Sequence, residues 1–104
     1  MAPITFDVSG IVRDDAGNVK PEGDSGIVTV KKRKAVGSSV TVGVPDGQTI
    51  KVMVAEIKNK ALVFEVTHPD HPLEKVEIGI DETKEIFPGD GRAGVRVALK
   101  EGMP

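Results

Sequence analysis

Between Ile50 and Val66 the side chains alternate without interruption. Ile50, Val52 and Val54 point one way, with Lys51 and Met53 between them. After Lys58-Asn59-Lys60 the rhythm resumes at Leu62, Phe64 and Val66. A period of two is the signature of pleated strand, because successive side chains leave opposite faces of the backbone. The stretch therefore predicts a β-hairpin with one buried face. The same rhythm recurs at Ile4, Phe6 and Val8, at Val28 and Val30, and at Val40, Val42 and Val44. It returns at Val76, Ile78 and Ile80, and at Val95, Val97 and Leu99.

The punctuation between these runs is turn chemistry. Gly10 marks a bulge in the first strand, and Asp14-Asp15-Ala16-Gly17-Asn18 supplies a turn in which Gly17 takes positive φ. Pro45-Asp46-Gly47-Gln48 is a hairpin connection. Pro21 to Gly26 reads as a polar loop, and Asp81 to Ile86 as one helical turn with Asp81 as its cap. Two prolines make His68-Pro69-Asp70-His71-Pro72 a corner. Short strands at this spacing predict an all-β protein, a small antiparallel β-barrel or sandwich. The 104 residues make one domain: an N-terminal arm or hairpin over 1–26, a β core over 27–80, and a C-terminal arm over 87–104.

Composition bounds how such a domain holds together. Three Phe, no Tyr and no Trp leave a core of Val, Ile, Leu and Ala, while twelve Gly and seven Pro spend chain on turns. No cysteine supplies a disulfide. A lean core without staples points to a homo-oligomer. No apolar run approaches the roughly 20 residues that cross a bilayer. The start, Met-Ala-Pro-Ile-Thr-Phe-Asp, lacks the basic and apolar segments of a signal peptide. The expectation is a cytoplasmic or virion-associated protein without membrane contact. A net charge of −2 does not favour nucleic acid as a partner for the whole molecule.

Several short patterns bear on chemistry. Gly23-Asp24-Ser25-Gly26 matches the tetrapeptide around a serine-protease nucleophile, but a triad needs a base and a frame that this chain is too short to hold. Gly89, Gly91 and Gly94 fit G-x-G-x-x-G, yet the residues after Gly94 alternate as a strand, so a glycine-rich turn is expected. His68, Asp70 and His71 are metal-ligand types in one loop, lacking a specified further ligand such as Glu65 or Glu77, and are read as surface residues. No catalytic residue, metal or cofactor is predicted. Lys31-Lys32-Arg33-Lys34 is the one concentrated charge feature: a solvated, lysine-guarded edge, or an anion contact.

Arg33-Lys34-Ala35-Val36-Gly37, Val40-Thr41-Val42-Gly43, Ile50 to Asn59, and Leu62 to Pro69 resemble the carbon storage regulator family of small RNA-binding proteins. The likeness runs from about Thr29 to Ile78. It implies an intertwined β homodimer that binds RNA without catalysis, through Arg33 and Lys34 and through Lys75 after the proline corner. Lys31 and Lys32 extend that basic set. Here Ala35 is inserted, His68 replaces the corner alanine, and a further strand stands where the family has a helix. Two functions are therefore expected. The first is a non-catalytic structural or assembly protein, such as a capsid decoration protein of tailed phages, contacting other subunits through its terminal arms. The alternative is a dimeric RNA-binding regulator.

Overall fold

In the computed structural model, residues 4–30, 36–45, 47–89 and 91–101 are described. Eight strands and no helix lie among them: β1 (Ile4–Arg13), β2 (Val19–Val30), β3 (Ser39–Gly43), β4 (Thr49–Lys58), β5 (Ala61–Thr67), β6 (Glu74–Gly79), β7 (Thr83–Ile86) and β8 (Ala93–Glu101). They form two four-stranded antiparallel sheets, ordered β2-β1-β8-β7 and β3-β4-β5-β6. The expected all-β class and antiparallel pairing are thus present.

The second sheet is a plain meander, and the β4–β5 hairpin is the one announced by the Ile50–Val66 alternation. Val52 faces Val66 and Val54 faces Phe64, and the register then slips between Val54 and Glu56. The slip lets Ile57 turn back toward the core opposite Leu62. The first sheet is assembled from both ends of the chain. β1 pairs with β2 on one side and with β8 on the other, from Ile4 opposite Glu101 to Val12 opposite Ala93. Its register with β2 shifts between Ser9 and Ile11, and the extra residues lie on β2 between Pro21 and Ser25. β1 pairs with β8 without a break through Gly10, so the bulge expected in the first strand sits in the second.

Three features differ from the sequence reading. Residues 21–26 are not a loop but part of β2, with Pro21 opposite Ile11 and Ser25 opposite Ser9. Proline is tolerated there because β2 is an edge strand and its missing N–H interrupts no further ladder. Residues 81–86 form no helical turn. Asp81 adopts φ 67°, outside helical space, and residues 83–86 are β7, paired with β8 from Thr83–Ala98 to Ile86–Val95. The N-terminal segment expected as an arm or hairpin forms the β1–β2 hairpin, and the segment expected as a C-terminal arm contains β8; β1 and β8 are the central strands of their sheet. Phe6, Val8, Val95, Val97 and Leu99 bind these segments into the interior.

The apolar faces of the two sheets share one cluster. Ile4, Phe6, Val8, Val97 and Leu99 come from the first sheet; Val52, Val54, Leu62, Phe64 and Val66 come from the second. Close-packed interdigitation of this kind is what makes a core of small β-branched residues hold. One corner of the cluster is built on absent side chains. A Cβ on Gly10 would lie 2.8 Å from the Gly43 carbonyl oxygen, and a Cβ on Gly23 would meet that same oxygen. The β1–β2 bulge therefore approaches β3 at backbone distance, and Asp24 accepts a hydrogen bond there from the Gly43 N–H at 3.3 Å.

Candidate functional site

Residues from four turns gather at one end of the body: Asp15; Val44 and Gln48; His68 to His71; and Pro88, Gly91 and Arg92. His68 follows β5 into this end and is buried, with 3% of its surface exposed, the one buried polar side chain among the described residues. The expectation of a surface histidine is overturned. Packing of the β7–β8 turn over the corner covers it, a contact from residues 18 or more positions away. Its ring makes a hydrogen bond to the Ile86 backbone, while Nε2 is buried with no partner. Burial lowers its pKa below the usual histidine value; the Glu74 carboxylate opposes that shift and His71 adds to it.

Asp70 takes φ 60° and the His71 N–H bonds the His68 carbonyl at 3.3 Å, so the corner closes as a tight turn. The rings of His68 and His71 stand edge to face with centroids 6.5 Å apart. A pocket of about 180 Å³ lies beside them, bordered by Val44, Gln48, Asp70 and Arg92. Asp70 and His71 point to solvent. Among the described residues no group of three His, Cys, Asp or Glu side chains is placed to hold a metal ion.

The same end is tied together by Arg13, a residue without any sequence signal. Its guanidinium lies 4.3 Å over the centre of the Phe87 ring and donates to the carbonyls of Gly91 (3.0 Å) and Gly89 (3.1 Å). Its own N–H donates to the Arg92 carbonyl at 2.9 Å. Arg92 in turn pairs with Asp15 on the β1–β2 turn. A planar fork stacked on a ring suits this task, where a lysine would not. Arg13 is thus a structural clamp on the β7–β8 turn.

The long sides of the body differ from each other. On the side of β6 and β7, charged groups cover the strand edges. Lys84 Nζ donates to the Glu77 carbonyl at 2.8 Å, reaching from one sheet to the other. Lys58 pairs with the Glu77 carboxylate at 2.8 Å. That hydrogen bond, with the attraction of the two charges, raises the Lys58 pKa and lowers the Glu77 pKa. Glu82 accepts from the Gly79 N–H at 3.0 Å, and Arg96 sets two donors on Glu85 Oε2 at 2.8 and 3.0 Å. Lys75 sits on β6 opposite Glu65, exposed.

On the opposite side lie β2 and β3. Ile27-Val28-Thr29-Val30 and Ser39-Val40-Thr41-Val42-Gly43 contain no charge and no proline. Ile27 is 69% exposed, the most exposed large apolar side chain among the described residues. It pairs with Asp7 on the outward face, while Val28 pairs with Phe6 and turns inward. Val40 packs against Gly26, holding the two edges together. Lys31, Lys32, Arg33 and Lys34 lie outside the described residues, so Lys75 alone of the expected RNA-binding set has a described position.

The serine-protease-like tetrapeptide lies within β2, where Asp24 is engaged by Gly43 and Ser25 faces Ser9. Gly94 of the glycine pattern lies inside β8 against the Ile86 carbonyl, which leaves no strand-to-helix cradle for a phosphate. In comparisons with protein-family models, with curated proteins and with solved structures, the chain matches nothing.

Proposed function

We propose that the protein is a non-catalytic assembly subunit, a small β-sandwich that works through contacts with other copies or neighbouring subunits, in the manner of a capsid decoration protein. The observation that carries this reading is the contrast between its two long sides. Exposed strand edges template the pairing of further chains, and proteins that stay apart blunt them with lysine, glutamate or proline. The β6–β7 side carries Lys84, Glu77 and Lys58 over its edges. The neutral runs of β2 and β3 carry nothing of the kind, and Ile27 within the β2 run stands exposed on the outward face of its sheet. Strand addition at such an edge gains main-chain hydrogen bonds without requiring a pocket.

The contacts belong on this edge rather than on the terminal segments. Ile4, Phe6, Val97 and Leu99 are committed to the interior, so the described parts of those segments are not free to reach a neighbour. A catalytic reading finds little to work with. The one buried titratable side chain among the described residues, His68, has no nucleophile or acid partner aimed at Nε2.

Light scattering across a dilution series, detected by refractive index because the chain has no Trp or Tyr, tests the proposal. Assembly predicts a mass above 11.0 kDa that falls on dilution. A mass of 11.0 kDa at every concentration, with RNA binding that weakens steeply in salt, would move the function to the basic stretch.

A further inference from the structure

We infer that the partner of β2 is β2 of a second copy, paired antiparallel across a twofold axis at Ile27, so that two four-stranded sheets become one of eight strands. This rests on the assembly reading and names its occupant.

Charge decides the direction of pairing. Along β2 the described charges are Lys20, Glu22 and Asp24, all in the first half, and the second half is neutral. A parallel mate would set Glu22 against Glu22 and Asp24 against Asp24, which is destabilising. An antiparallel mate centred on Ile27 overlaps the described strand over residues 24–30 and sets Asp24 opposite Val30 and Ser25 opposite Thr29. No like charges are then opposed among the described residues.

The exposed isoleucine decides the centre. Residues directly opposite in an antiparallel pair leave the same face of the sheet, so an axis at Ile27 sets each Ile27 beside its counterpart. The side chain left 69% exposed in one copy is covered by the same side chain of the other. The interface is isologous and closes on itself, which stops growth at two copies along this edge. The guarded β6–β7 edges add no further copies, since Lys84 already occupies the Glu77 carbonyl.

The chain has no cysteine, so single-cysteine variants report the geometry cleanly. Directly opposed residues have Cα atoms roughly 4.5–5.5 Å apart, within the range a disulfide spans. Ile27→Cys is expected to form a cross-linked dimer under mild oxidation that leaves Lys75→Cys monomeric. Separately, Ile27→Lys is expected to weaken self-association by about tenfold or more while the thermal unfolding of the monomer stays unchanged, since the residue packs on no core group. A mass above 11.0 kDa that Ile27→Lys does not alter, with Ile27→Cys failing to cross-link, overturns the β2 pairing but leaves assembly through another surface. A monomer in every variant and in the parent chain overturns both.

Discussion

The rings of Phe6 and Phe64 meet edge to face, with centroids 4.9 Å apart and planes inclined at 66°. Each comes from an inner strand of its own sheet, and neither is exposed. In a chain with three phenylalanines, this pair spans the space between sheets that valines fill elsewhere. Truncating either ring removes the largest buried area available and leaves a cavity that neighbouring valines cannot reach. Phe64→Ala is expected to lower unfolding free energy by about 3–5 kcal/mol, read from urea denaturation. A loss below about 1 kcal/mol would mean that the sheets do not meet there.

Arg13 holds the β7–β8 turn through a ring and two carbonyls. Arg13→Ala should cost about 1–2 kcal/mol in global stability. Faster amide exchange should appear selectively at Phe87, Gly89, Gly91 and Arg92. Arg13→Lys should recover little of either effect, because an ammonium cannot stack and fork together. Full recovery by lysine would show that charge alone matters at this position.

Burial lowers the pKa of His68, so the folded state resists its protonation more than the unfolded chain does. Between the lowered folded value and the ordinary 6.5, the unfolded chain binds the extra proton. Stability therefore rises with pH through that window. The contribution is fully present above pH 6.5 and is lost as pH falls toward the folded value. Denaturation midpoints measured from about pH 7.5 to about pH 4.5 should decline for the parent chain, and His68→Leu should flatten the part of that decline nearest neutrality. Parallel profiles for the two proteins would show that His68 is not the responsible group.

The approach of Gly23 and Gly10 to the Gly43 carbonyl leaves no room for a methyl group. Gly23→Ala is expected to destabilise by about 1–3 kcal/mol, because backbone on both sides must shift. Gly79→Ala is the control. Its Cβ would lie 3.8 Å from the nearest atom, an ordinary contact, and its effect should stay within about 0.5 kcal/mol. Equal costs at the two positions would contradict the close packing of the β1–β2 bulge on β3.

Local interactions are legible in the residues, and distant ones are not. The β4–β5 hairpin and the Gly17 turn can be read because alternation and glycine act within a few residues. The first half of β2 cannot, since Lys20-Pro21-Glu22-Gly23-Asp24 has no apolar rhythm, and it is placed by the pairing of Lys20 and Pro21 with β1 and of Asp24 with the Gly43 N–H of β3. Thr83-Lys84-Glu85-Ile86 hides β7 for the same reason: only Ile86 is buried, and pairing to β8 supplies the rest. His68 looks like a surface residue because its cover, Ile86 and the turn after it, arrives from later in the chain. Arg13 gives no signal because its carbonyl partners lie 76 and 78 residues away. The absence of charge from Ile27 to Val30 and from Ser39 to Gly43 is plain in the sequence. Its meaning appears only once the topology shows both strands to be edges on the same side.

Amide hydrogen exchange along β2, followed across protein concentration, shows whether copies of the chain join along this strand. If the neutral edge is where copies join, the amides of residues 26–30 gain protection as concentration rises, while those of β6 and β7 do not change. Protection along β2 that is the same at every concentration, in samples whose mass does rise, would contradict the account.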